Sequence, residues 1–331
     1  MEIIKNNADF LFIYEAINCN PNGDPDQENK PRMDYDTHTN LVTDTRLKRY
    51  IRDYFMQKGY DVFVSMEEKT KVKPDTKFVA VVERMLSEPE SVKTFFESNE
   101  EMAKAFDKVL KEKKDKDGVF KSLQSAANKK LNFFILDKLV KDTFIDIRLF
   151  GSAFAVEKFT QAYTGPVQIN WGYSLNKVYP VESNSIVTIM WDDSSTFGKD
   201  HRIHYSLLSF HGTMNAPAAK YTGLTSDDVE KFRDAVWNAI PSLPTRSKMN
   251  QYPKLYLEVI YHDGYHNGHF GDLRNYIRCT PTAEAGDFKK VRKYGDLHLD
   301  FSELENLVND NMGTVIKEIK LIQSNDVVLK L

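Results

Sequence analysis

Residues 10–55 read FLFIYEAINCNPNGDPDQENKPRMDYDTHTNLVTDTRLKRYIRDYF. The opening run, Phe10 to Ala16, is aromatic and branched and predicts a buried strand. An Asn/Gly/Asp/Pro-rich loop from Asn20 ends it, and residues 41–55 then change period. At about 100° per residue, Leu47, Ile51, Tyr54 and Phe55 share one arc of a helix, and Arg46, Lys48, Arg49 and Arg52 share the opposite one. Lys48 and Arg52 are four apart, and Arg49 and Arg52 three apart, so their heads meet on one surface. Such an arc is either a solvated face or a grip on a polyanion. Neighbours about 5–6 Å apart are spaced to follow successive phosphates. Strand, loop and helix in that order open many α/β sandwich domains.

Outward from this stretch the composition shifts. Residues 65–141 are charged and helical, a helical insertion with Lys113 to Gly118 as an exposed turn. DTFIDIRLFG, residues 142–151, returns to strand character. After the Gly165-Pro166 turn, Val167, Ile169, Trp171 and Tyr173 alternate on one face of a strand. Ile186 to Trp191 predicts another strand, and the irregular stretch 192–223 a long β-hairpin or projecting loop. A helix follows over Thr225 to Ile240, with Ser226 placed to cap it and Asp227, Asp228 and Glu230 in its first turn. Lys254 to Tyr261 is a strong strand and Val315 to Ile322 a final one. No internal repeat is present.

The chain has 331 residues, 41% hydrophobic and 28% charged, with a net charge of −3. This is ordinary for a globular protein and long enough for about two domains. A nucleic-acid site must therefore be a local patch and not a global field. Two cysteines, Cys19 and Cys279, make no disulfide framework, and with no signal segment or bilayer-length apolar run the expected location is the cytoplasm, away from any membrane. Phosphate-cradling glycine motifs, GxSxG and HExxH are absent. His262, His266 and His269 have helical metal-site spacing, but Gly264 and Gly268 favour a turn. Asp24, Asp26, Glu28, Asp34 and Asp36 could gather round a hard cation, yet the spacing fails the EF-hand pattern, and Asx-turns are the preferred reading. No metal and no cofactor are expected. Lys199, His201, Arg202 and His204 lie near Phe197 and Tyr205, a mixture suited to single-stranded nucleic acid. Arg246 and Lys248 sit in a loop before a strand, a place suited to a phosphate contact.

The segments NPNGDPDQENKPRMD and LVTDTRLKRYIRDY, followed in order by DIRLFGSAFA, GPVQINWGYSLN, SFHGTMNAPAAKYTGLTSDDVEKF and TRSKMNQYPKLYLEVIY, together resemble the CRISPR RNA-binding backbone subunit of type I effector complexes (Cascade). The type I-B branch of this group within the RAMP superfamily is the nearest, and the resemblance covers about residues 10–261. It implies an α+β fold: an RRM-like (ferredoxin-like) palm from residues 1–64 and 142–331, a helical web at 65–141, and a projecting β-hairpin thumb at about 192–223. It further implies head-to-tail copies along the CRISPR RNA, alongside other Cascade subunits, with the guide kinked so that its bases pair with target DNA. The RNA contacts so implied are Lys48, Arg49 and Arg52 in the palm, with Thr43 and Arg32 beside them. Arg46, Asn20 and Asn22 of the same segment, and Arg246 and Lys248 in the TRSK loop, complete the palm set. The thumb would supply Lys199, His201 and Arg202, with His211 or Met214 wedged at a kinked base. The branch leads one to expect glycine before LVTD; Asn40 stands there, and a positive-φ turn is expected of it.

The chemistry agrees with this reading. A subunit that holds any guide must grip phosphate and sugar and leave base edges free, while base pairing reads the target. Head-to-tail stacking is a heterologous contact that extends as a filament. The alternatives are a metal-dependent endoribonuclease of type III character, with Asp34 or Asp36 as the loop aspartate, and a generic single-strand RNA binder. No nucleophile–base pair stands out for the former, and a non-catalytic role is expected.

Overall fold

The computed structural model describes residues 2–67, 70–71, 89–97, 99–112, 119, 122–123, 125–156, 159–182, 185–188 and 196–331. The elements that build the main sheet and its helices are β1 (Ala8–Cys19), β2 (Thr39–Val42), α1 (Asp44–Gln57), α2 (Ile145–Phe150), β3 (Val167–Ile169), β4 (Gly172–Ser174), β5 (Ile203–Met214), α3 (Ser226–Ser242), β6 (Gln251–Tyr261) and β7 (Ile316–Gln323). The sheet is antiparallel with strand order β7-β6-β1-β5-β4-β2; β3 also pairs with β5, and Met33–Asp34 adds to the edge beyond β2. The fold is thus mixed α+β around a central antiparallel sheet.

Both faces of this sheet are covered. On one, Phe10, Phe12 and Tyr14 of β1 meet Leu47, Ile51 and Phe55 of α1 and Phe232 and Val236 of α3. On the other, Leu11 and Ile13 meet Leu207, Leu255 and Leu257, with side chains from residues 273–329 laid over them. That is why β1 is apolar at successive positions instead of alternating. Pro89–Phe96, Glu100–Glu112 and Lys129–Thr143 form a separate helical core around Phe96, Phe106 and Ile135. Lys113 to Gly118, the expected exposed turn, lies outside the described residues. Among the described residues no helix is long and apolar enough to cross a membrane.

The structure corrects the sequence reading at several places. DTFIDIRLFG holds helix α2 and not a strand. The fully buried Asp146 accepts from Phe63 N at 2.7 Å, Val64 N at 3.1 Å and Arg52 Nε at 2.9 Å, and these long-range partners fix the helix. From residue 203 on, the 192–223 stretch is not a projecting hairpin. From Ile203 to Met214 the chain is the strand β5, paired along its length with β1, and Ala216–Thr222 is a helix capped by Asn215. A small hairpin does overlap the start of the span, Ser185–Thr188 with Thr196–Lys199, outside the main sheet. Residues 189–195, including the end of the predicted 186–191 strand, lie outside the described ones.

The 167–175 strand is broken. Val167 pairs with Met214 and Ile169 with Gly212, but Tyr173 pairs with Ser209, one residue out of step. This bulge reverses the pleat, so Val167 and Ile169 are buried whereas Trp171 and Tyr173 face outward. Asn40 lies in β2, fully buried, donating through Nδ2 to Arg32 O at 2.9 Å; the positive φ of 58° falls on His38. Thr225, not Ser226, caps α3 and completes a capping box with Asp228. Gly212 closes the centre of the sheet, because a Cβ there would stand 2.2 Å from the Phe10 ring. Gly212→Ala is expected to cost about 1–3 kcal/mol, measured by urea denaturation.

Candidate nucleic-acid interface

The loop after β1 is tied to the start of α1 by asparagines. Asn22 Oδ1 accepts from Thr43 N at 2.9 Å and Thr43 Oγ1 at 3.0 Å, and Thr43 in turn caps the helix by accepting from Arg46 N at 3.2 Å. Asn20 is buried, donating to Ser247 O at 2.9 Å and Asn29 O at 2.8 Å, while its carbonyl accepts from Lys248 Nζ. Asn20 and Asn22 therefore brace the loop. Asp24 and Asp34 close Asx-turns through Asp26 N and Asp36 N, as the composition predicted. Arg32 stands 3.4 Å from Asp24, with its guanidinium 6.0 Å from the Trp171 ring.

The basic arc of α1 is where the structure departs most from the sequence. Lys48 pairs with Asp44 at 3.0 Å, Arg49 with Asp53 at 2.8 Å, and Arg52 with Asp146 at 2.9 Å. Two of these pairs have i,i+4 spacing and were legible; Asp146 is distant in sequence and was not. Arg46 differs. Its guanidinium lies 4.1 Å over the Tyr50 ring, and among the described residues no carboxylate pairs with it. Lys248 approaches it from the loop before β6. Burial, and then the charge of Arg46, push the Lys248 ammonium down to about 8. Among the described residues neither cation pairs with a carboxylate, and the Lys248 ammonium donates to Asn20 O. A cleft of about 670 Å³ opens beside Arg46 and Arg49, walled by Tyr50, Asp53, Gln57 and residues 242–245.

Residues 6–302 match the family described as CRISPR-associated protein Cas7. The chain belongs to the Cas7 family. It is 31% identical over 324 residues to the CRISPR-associated protein Cas7 of Haloferax volcanii, covering 90% of this chain and 82% of that one. A chain of a solved "CRISPR RNA-guided surveillance complex, pre-nicking" aligns over 92% of this chain and 88% of its own, at a TM-score of 0.48 and 12% identity. A second "CRISPR RNA-guided surveillance complex" aligns over 97% and 93%, at 0.46 and 12%.

The remaining expected contacts of this Cas7-family chain fall in two other places. Lys199 pairs with Glu28 at 2.7 Å, linking the small hairpin to the loop. Arg202 is held by Asp200 at 2.8 Å and by Asn18 O at 2.8 Å, and Arg246 approaches the same Asp200 at 3.5 Å while two-thirds exposed. With His201, Arg202 lines a second cleft of about 890 Å³, shared with Lys30, Tyr35, His38 and Tyr179. Asp200, Tyr50 and Tyr179 were missed by the sequence reading, because only the fold brings them beside these cations. His211 and Met214 were expected at a hairpin tip, and the structure contradicts this. Both are buried in β5; His211 Nδ1 accepts from Leu273 N at 3.4 Å, burial lowers its imidazole pKa, and Met214 packs in the first core. Neither is placed to wedge a base.

Asp34 and Asp36 are exposed, and the Thr37 side chain, then backbone N–H groups, hold the Asp34 carboxyl below its usual range. Among the described residues no three His, Cys, Asp or Glu side chains are grouped to hold a metal; His262, His266 and His269 lie along turns.

Proposed function

We propose that this Cas7-family chain is a non-catalytic, cytoplasmic subunit of a type I-B Cascade complex. It binds the CRISPR RNA spacer through its phosphates, stacks head to tail with copies of itself beside other Cascade subunits, and presents kinked guide segments to target DNA. The observation that carries this reading is the Arg46–Lys248 pair, two like charges from distant segments, neither paired with a carboxylate among the described residues, with Arg46 bordering a cleft that runs along α1 to Gln57. A polyanion supplies the missing countercharge, and a phosphate does so for any base sequence.

The order β1, α1, β3/β4, β5, α3, β6, with sheet order β6-β1-β5-β4, supports an RRM-like palm. The helices between residues 89 and 143 would be the web. The small hairpin of residues 185–199 would be the thumb, in place of the 192–223 span. Because residues 273–329 cover the centre of one sheet face and α1 and α3 the other, the RNA would run along the loop edge of the palm.

Protein expressed alone tests this. Its absorbance ratio at 260 and 280 nm, with extraction and sizing of bound nucleic acid, should reveal RNA whose lengths rise in regular steps with oligomer size. Monomeric protein that carries no RNA and takes up no added guide would overturn the proposal.

A pH dependence follows from Lys248. Free, its ammonium loses its proton near pH 8; a bound phosphate favours the charged form and raises that value. Binding then takes up a proton above about pH 8, so affinity should fall as pH rises through 8 to 9 and be level below 7. Lys248→Arg, charged throughout, should flatten the curve in a fluorescence-anisotropy titration.

A further inference from the structure

Beyond the bulge after β3, Trp171, Tyr173 and Leu175 share one face of the strand. Leu175 reaches under the second core's cover, whereas Trp171 is 46% and Tyr173 37% exposed. Two large aromatics thus stand side by side where the cover over the sheet gives way. Arg274 holds the Tyr173 ring and the Trp171 backbone in place. The Arg274 guanidinium lies 3.6 Å from the Tyr173 ring, and Arg274 is itself buried, fixed by Asp272 and by Trp171 O at 2.8 Å. Arg32 flanks Trp171 at 6.0 Å.

We propose that Trp171 and Tyr173 form a platform on which unpaired RNA bases stack, with Arg32 beside it meeting the strand's phosphates. This deepens the RNA-binding reading and rests on it. Single scattered aromatics on a surface need no explanation. An adjacent pair, one ring backed by a buried guanidinium and the other flanked by a second, has the chemistry that single-stranded nucleic acid uses, with rings for the base faces and cations for the phosphates. Continuity with the proposed phosphate path favours RNA over a protein partner. Arg32 N donates to Asn22 O, and the Asn22 side chain holds Thr43 at the start of α1, one turn before Arg46. Stacking is indifferent to base identity, as a subunit that accepts any guide requires.

The test uses the full chain and an RNA of about eight nucleotides, intact or with abasic units, over a series of salt concentrations. Trp171→Ala should weaken binding to intact RNA roughly 5- to 140-fold with the salt slope unchanged, and Trp171→Phe should restore most of it. Abasic RNA should bind the wild type and Trp171→Ala alike, and more weakly than intact RNA binds the wild type. Equal affinity of wild type for intact and abasic RNA would overturn the platform while leaving RNA binding standing. So would a Trp171→Ala variant that loses only self-association in sedimentation, marking a contact between copies. Failure of the wild type to bind any RNA would remove the underlying reading itself.

Discussion

Arg52→Ala should lower the stability of the protein by about 3–5 kcal/mol, the usual cost of leaving one member of a buried ion pair alone. The pair is at 2.9 Å, with the Arg52 side chain only 12% and that of Asp146 0% exposed. Asp146 would keep its bonds from Phe63 N and Val64 N, which join the chain after α1 to α2. It would lose the one cation that pairs with it among the described residues, and Phe150 would lose the guanidinium 5.3 Å from its ring. An arginine on a solvated basic face behaves differently, since surface substitutions usually fall within about 0.5 kcal/mol. Urea denaturation at pH 7 separates the two roles, and a change below 1 kcal/mol would return Arg52 to the set of free cations. Any RNA-binding measurement on this variant must therefore follow a folding check.

The same residue shows what the sequence carried and what it did not. The apolar arc of α1 was legible, since Leu47, Ile51, Tyr54 and Phe55 are all buried. So were β1 and β6, because aromatic and branched runs have few other uses. The opposite arc was read as free charge, yet its partners decide its character, and Asp146 lies 94 residues away. Strand β5 failed for a related reason. Ser206, Ser209, His211 and Gly212 look like loop residues, but the last two are set by something distant in sequence. Gly212 leaves room for the Phe10 ring, and the His211 ring accepts from Leu273 N, 62 residues on. In the candidate site, local order made Asn22, Thr43 and Arg46 readable as one segment. That Lys248 would come to stand beside them depends on Asn20 O holding its ammonium, a tertiary contact that no spacing encodes.

Arg46→Ala combined with Lys248→Ala is expected to weaken RNA binding roughly 10²- to 10⁴-fold at low salt, taking about 1.5–3 kcal/mol for each charged hydrogen bond lost. The slope of log affinity against log salt should become shallower by about 1.4, since each phosphate contact on a single strand contributes about 0.7. The loss should be equal across guide sequences, because a phosphate is the same in all of them. A double variant that removes Lys48 together with Asp44 takes away a neutral pair, so it should alter affinity and slope far less. That contrast separates the free pair from the general charge of the helix. If the Lys48/Asp44 variant were as weak as the Arg46/Lys248 variant, Lys48 would have to leave Asp44 for the RNA on binding, and the whole basic arc would act as the grip. If the loss fell on one sequence only, the pair would be reading a base edge, and a subunit built to carry any guide would not use it.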